Sequence, residues 1–247
     1  MRFIKDDRRR AHKMEAKAGA SLEVRDLVYV GVFAALLAIF SWISIPTVVP
    51  FTLQTFGVFL ALTVLGGKRG TLAILVYILL GAVGLPVFSG FTGGFGRLLG
   101  TTGGYIVGFL ATGLLYIIYE DISGRANRGE SLRGSRAASE GNDCKASSEA
   151  GCGEIFQAVP GASGREERKR SARKSLAGEA LTLFLGLLLC YVIGTAWFMF
   201  VYIGQNGAVS LGTVLGWCVL PFIIPDIGKL ILALLVGRRI RRTGVLR

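Results

Sequence analysis

The sequence has 247 residues, 52% of them hydrophobic and only 18% charged, with a formal net charge of +12 and a mean hydropathy of +0.56. The charges are segregated, which argues against a soluble globular domain. From Leu27 to Tyr119 there is no acidic residue and the basic ones are Lys68, Arg69 and Arg97; from Thr182 to Gly237 the charges are Asp226 and Lys229. The remaining basic residues flank apolar runs instead of lining a soluble face, so the net charge reads as a topology signal and not as a nucleic-acid footprint.

In chain order, a basic segment at 1–26 precedes the first apolar run, which begins at Leu27 and lasts about a full span, with no small-residue cleavage site behind a short core. Six runs are long enough to cross a bilayer, at 27–45, 48–66, 70–88, 103–119, 181–203 and 213–236. Their breaks are chemical: Pro46 and Pro50, the basic turn Gly66-Gly67-Lys68-Arg69-Gly70, a glycine-rich stretch from Gly84 to Gly104, and Gly204-Gln205-Asn206-Gly207. The predicted fold is all-α, a polytopic membrane protein of six transmembrane helices. Spans 1–4 lie within 27–122 and spans 5–6 within 179–237.

An even count puts 26 of the 28 Lys and Arg residues on one side, leaving Arg97 and Lys229. The positive-inside rule then places both termini in the cytoplasm. The stretch 123–178 is rich in Gly, Ser, Ala, Arg and Glu and nearly free of large apolar residues. Such a composition buries too little apolar surface to offset chain entropy, so a flexible cytoplasmic loop is expected there. Its dense positives at 165–174 serve as a stop signal beside the fifth span or as a contact for anionic lipid or a partner. A basic tail follows at 238–247.

No catalytic set is present. His12 is the sole histidine and lies in the polar N-terminal segment; there is no P-loop, HExxH, GxSxG or paired intramembrane carboxylate. Cys144, Cys152, Cys190 and Cys218 have no metal-ligand or CxxC spacing. The expectation is a protein that is not an enzyme, with no metal and no cofactor of its own; ATP-driven work would belong to partner subunits.

The chemistry concentrates in the last span. Asp226 and Lys229 are the acid–base pair within the apolar runs. A charged side chain at a helix centre costs about 2.5–3.5 kcal/mol on insertion scales, so it marks a functional position. Spacing i, i+3 places the two on one helix face, where the carboxylate accepts and the ammonium donates. Pro221 and Pro225 upstream predict an interrupted backbone facing a cavity. The alternative is a charge pair that fastens two helices. Arg97 is the charge of the glycine-rich stretch, which holds eight glycines, and suits an anionic solute or a headgroup. Gln54 and Thr52 face the bundle as ligand or helix-to-helix contacts. Trp42 and Trp217 suit an interfacial belt, while Trp197 is a candidate for stacking on a ligand. Ala34 and Ala38 form a small-xxx-small pair, for internal packing or for docking a partner helix.

These residues sit in stretches that resemble the BioY family, the biotin-binding S components of energy-coupling factor (ECF) transporters. The matching stretches are Val49-Pro-Phe-Thr-Leu-Gln-Thr55, Gly66-Gly-Lys-Arg-Gly70, Leu80-Gly-Ala-Val-Gly-Leu-Pro-Val-Phe88, Gly93-Gly94 with Leu99-Gly100, Gly103-Gly104-Tyr105, and Pro221-Phe-Ile-Ile-Pro-Asp-Ile-Gly-Lys229. The resemblance implies a six-helix subunit in the cell membrane that captures biotin from outside. It implies dependence on a coupling transmembrane subunit and ATPase subunits. It assigns ligand contacts to Asp226, Lys229 and Gln54, lid positions to Thr92 and Tyr105, and docking to Ala34 and Ala38. The chain departs from the pattern at Thr101, where a proline is usual, at Ile106, where some members carry arginine, and in the 123–175 insert. Arg97 is the candidate to take over the missing arginine's role. A binding subunit for another small metabolite, or a passive channel lined by Thr101 to Tyr105, stands as the alternative.

Overall fold

The structure, a computed structural model, describes residues 24–45, 49–143, 162–207 and 209–243, with side chains omitted at 126–143, 162–175 and 206. The expectations for His12, Cys144 and Cys152 lie outside the described residues, and so do the side chains of the 165–174 basic cluster.

The chain is mostly helical. Helix α1 spans Val24–Trp42 and is followed by a two-residue strand β1 (Ser44–Ile45), its partner β2 (Phe51–Thr52) and helix α2 (Gln54–Leu65). Helix α3 (Gly67–Val83) leads into the glycine-rich stretch, which holds the short helix α4 (Phe95–Leu99). Two long helices follow, α5 (Gly103–Asp143) and α6 (Ala162–Asn206), then α7 (Leu211–Cys218) and α8 (Leu220–Arg242). Among the described residues, four segments are long and apolar enough to cross a membrane: Val24–Trp42, Gly103–Arg125, Leu176–Gln205 and Leu211–Arg242, the last formed by α7 and α8 together. Helix α2 is apolar but only 12 residues long, about 18 Å of helix against a hydrocarbon core of about 30 Å.

Neighbour relations close a ring. Helix α1 packs on α2 and α3, α3 on α5, α5 on α6, α6 on α8, and α8 on α2. Small residues allow the tightest approaches, since without them side chains would hold the backbones apart. A Cβ on Gly194 of α6 would fall 2.2 Å from the Tyr105 ring on α5, and one on Gly186 would fall 2.5 Å from Thr112. Tyr77, Tyr116, Leu37, Leu62 and Ile74 are fully buried in the main core. A smaller cluster of Val49, Phe198, Val214 and Cys218 lies between α6, α7 and the segment before β2.

Three features differ from the sequence expectation. The chain is not purely α: β1 and β2 pair antiparallel, with Ser44 opposite Thr52 and Ile45 opposite Phe51. The backbone of α5 continues to Asp143 and that of α6 begins at Ala162, inside the stretch expected to be a loop. The Ala, Arg and Glu residues there favour helix by intrinsic propensity without any apolar face. The interruption of the last span falls at Val219, between α7 and α8 (φ −126, ψ −56), while Pro221 starts α8 and Pro225 sits inside it.

Candidate functional site

The glycine-rich stretch is ordered by specific contacts. Gly84 ends α3 in the left-handed region at φ 113, a conformation that glycine adopts without a Cβ penalty. Phe88 is buried against Gly81 and edge-on to Tyr77, with ring centroids 5.7 Å apart. Phe88 and Thr92 exchange backbone hydrogen bonds of 2.9 and 3.4 Å, and Gly94 N–H donates to Gly81 O at 2.7 Å. The stretch is thereby tied to α3, with α4 and Arg97 beyond it.

Below it lies a cavity of about 760 Å³, part of it open to the outside. Its lining draws on the segment before α2, the glycine-rich stretch, and helices α2, α5, α6, α7 and α8. Apolar walls come from Phe109, Leu187 and Phe222, among others; polar groups come from Thr52, Gln54, Thr55, Arg97, Tyr105, Tyr191, Asp226 and Lys229. An apolar pocket with a few fixed polar groups is the usual form of a small-molecule site.

Asp226 and Lys229, 2% and 8% exposed, organise the polar side. The Lys229 ammonium donates to Thr52 O (2.6 Å), Thr55 Oγ1 (3.1 Å) and Asp226 Oδ1 (2.8 Å). It also lies 4.1 Å from the centroid of the Phe51 ring. The Thr55 hydroxyl in turn donates a hydrogen bond to Asp226 Oδ1 at 2.9 Å. Tyr191 OH donates to Asp226 Oδ2 at 2.6 Å. An ammonium has three protons, and protein acceptors take all three here. The Lys229 ammonium is thus engaged within the chain, at the wall of the cavity. Among the described residues Asp226 Oδ2 has Tyr191 as its single donor, so acceptance by the carboxylate is the exchange left open.

The β1–β2 hairpin explains part of this arrangement. It brings the Thr52 carbonyl to the start of α2, where Lys229 reaches it from α8. Tyr191 and Thr55 carry little signal in the sequence. The available signal was a phenol in the middle of an apolar run, since a buried tyrosine hydroxyl finds a partner.

The other expected site residues divide. Gln54 lines the cavity, and its Nε2 donates to Tyr77 OH at 3.0 Å, which in turn donates to Val87 O at 3.2 Å. Tyr105 lines it too, with its hydroxyl 3.3 Å from Thr195 Oγ1. Arg97 is exposed at the cavity edge and has no acidic partner among the described residues. Thr92 is not in the lining; its hydroxyl turns back to Ser89 O at 2.9 Å. Trp197 is not in the lining either. Its Nε1 donates to Gly100 O at 3.0 Å, and its Cβ occupies the space above Gly104. The indole therefore fastens the end of the glycine-rich stretch to α6. Ala34 and Ala38 are buried within the chain, at 2% and 6% exposure. The small residues that α1 leaves exposed are Gly31 and Ala35. Trp42 stacks on Phe91, with centroids 4.9 Å apart, and donates to Pro86 O.

A BioY family model matches residues 12–129 and 153–244, well over half of the sequence. The chain belongs to the BioY family. A "Probable biotin transporter BioY" from Pyrococcus horikoshii is 32% identical over 222 residues, covering 89% of this chain and 98% of that protein. "Biotin transporter BioY" from Thermotoga maritima is 57% identical over 88 residues, 35% of this chain and 52% of its own length, so this stronger match spans about half of that relative. Among solved structures, the S-component for biotin from an ECF-type ABC transporter superposes with a TM-score of 0.61 at 24% identity, covering 89% of this chain and 92% of that one. The BioY chain described here thus shares the fold of an S-component.

Proposed function

We propose that this BioY family chain is the biotin-capturing membrane subunit of an uptake transporter. Six spans cross the cell membrane in this reading, with α2 and α3 as the shorter ones and both termini in the cytoplasm. It is a transport protein and not an enzyme, in keeping with relatives named as biotin transporters. The observation that carries the reading is the cavity built around Asp226. Biotin combines a ureido ring, which offers N–H donors, with an apolar bicycle and a carboxylate tail. A ureido N–H suits the open acceptor position on Asp226 Oδ2, the apolar walls suit the ring and chain, and Arg97 suits the carboxylate. Gln54 and Tyr105 complete the polar lining, and the stretch from Gly84 to Gly104 forms the lid, with Thr92 shaping its turn.

The ligand enters by differential burial and charge pairing, with no cofactor on this chain. ATP-driven passage inward would need a partner, because the sequence has no P-loop. A coupling transmembrane subunit and ATPase subunits supply that work. The exposed Gly31 and Ala35 on α1 let such a subunit's helix approach closely. The test is titration calorimetry of the purified, detergent-solubilised protein with biotin, together with mass spectrometry of copurified ligand. Stoichiometric, tight binding is expected. A folded, ligand-free sample that takes up no biotin would contradict the substrate and redirect the cavity to another small metabolite.

A further inference from the structure

A second polar pocket lies far from the first. It is lined by Glu179 from α6 and by Arg238, Arg241 and Arg242 from the end of α8. Counting along α8, these arginines stand 9 to 13 residues beyond Lys229, or about 14–20 Å at the helical rise. The pocket therefore sits at the opposite end of the bundle from the Asp226 cavity and shares no lining residue with it.

Its charge is unbalanced. Glu179, 5% exposed, is the one acid in the lining and is already engaged. Its Oε1 accepts from Tyr116 OH at 2.9 Å and from Arg241 Nη2 at 2.5 Å. Its Oε2 lies 3.8 Å from Arg238 Nε, beyond hydrogen-bond range. Arg238 Nε is a buried nitrogen with no hydrogen-bond partner among the described residues. Arg242 has no acidic partner there either. Within the lining one carboxylate faces three guanidinium groups, with Glu120 outside it but near enough to Arg241 for their charges to act on each other, and the pocket is largely open to the outside. A helix C-terminus favours cations, which accounts for basic residues near the end of α8 but not for three converging on one concavity.

We infer that this pocket is a phosphate-binding site, in which Arg238 and Arg242 hold the phosphate oxygens and Arg241, braced by Glu179, closes the third side. Guanidinium forks match phosphate oxygens in pairs. A span end places the pocket at headgroup depth, where anionic phospholipids present that group. The site takes a phosphodiester headgroup or free phosphate by the same chemistry. Occupancy would link α6 to α8 at the end away from the cavity, with α5 joined through Tyr116.

The experiment is native mass spectrometry of the full chain in detergent, titrated with dioleoyl phosphatidylglycerol, with dioleoylglycerol, and with inorganic phosphate. One phosphatidylglycerol per chain is expected, with dioleoylglycerol not retained. Affinity should fall about tenfold or more in the Arg238→Gln/Arg242→Gln double variant and stay unchanged in Arg239→Gln, which removes an exposed arginine of the same turn outside the pocket. Displacement of the lipid by inorganic phosphate would assign the site to the phosphate group alone; retention against it would assign it to the lipid. Equal retention of the two lipids, or an Arg239→Gln loss as large as that of the double variant, would overturn the proposal and leave the arginines to a protein partner. Should the double variant not fold, the two lipids on the natural chain and Arg239→Gln still decide.

Discussion

The two ends of the bundle use the same parts for different ends. At the cavity, Asp226 accepts from a tyrosine on α6, Tyr191, and pairs with a cation, Lys229. At the far end, Glu179 accepts from a tyrosine on α5, Tyr116, and pairs with Arg241. The difference lies in what surrounds the carboxylate. Lys229 comes from the same helix one turn on, and its protons are spent on Thr52, Thr55 and Asp226, so the pair fixes its own helix to the hairpin and α2. The cluster then borders an apolar-walled cavity with one acceptor position unused. The cations of Glu179 come from another helix and open outward, so that cluster fastens α6 to α8. Buried carboxylates of equal chemistry thus border a cavity at one end, where we propose a ligand contact, and tie two helices at the other.

That contrast is broken or sharpened by substitution. The largest effect is expected from Lys229→Met, which strands a buried carboxylate. Losing one partner of a buried pair costs about 3–5 kcal/mol, so both the melting temperature and biotin binding should fall sharply. Asp226→Asn keeps the shape and removes the charge; biotin affinity should drop about 10- to 100-fold, the range of a hydrogen bond to a charged group. Tyr191→Phe removes the one donor to Asp226 Oδ2 and leaves the carboxylate less well oriented. A loss of about tenfold is expected by calorimetry, with near-natural folding by circular dichroism. Arg97→Ala should cost only several-fold, because the side chain is exposed at the cavity edge. Its effect should shrink as salt rises, as befits a screened surface charge. Glu179→Gln should lower the melting temperature while changing biotin affinity by no more than about twofold, since well-separated sites act nearly independently.

Much of this was legible in the sequence, for physical reasons that differ by residue. Asp226 and Lys229 stand out because a charge in an apolar run is costly, and the cavity is built around them. Gln54 and Arg97 were legible as polar or cationic interruptions and Tyr105 only through the family resemblance, and all three line the cavity. Thr55 and Tyr191 were missed as ligand-cluster members because a hydroxyl within a helix costs little and leaves no charge signature. Trp197 and Thr92 lie outside the cavity lining; nothing in a one-dimensional pattern separates an indole that stacks on a ligand from one that pins a loop at Gly100. Ala34 and Ala38 illustrate the limit of small-residue spacing. Their spacing matches that of Gly31 and Ala35, and only the helix rotation, set by packing on α2 and α3, decides which pair is exposed. The short hairpin and the break at Val219 were invisible to hydropathy, which averages over both.

The most direct test of the central claim sets Asp226→Asn beside Glu179→Gln in one calorimetric titration with biotin, each variant checked for folding by its melting curve. The account predicts at least tenfold weaker binding for Asp226→Asn and affinity within about twofold of the natural chain for Glu179→Gln. Equal losses in the two variants, or an undiminished affinity in a folded Asp226→Asn protein, would contradict the assignment of Asp226 as the ligand's acceptor.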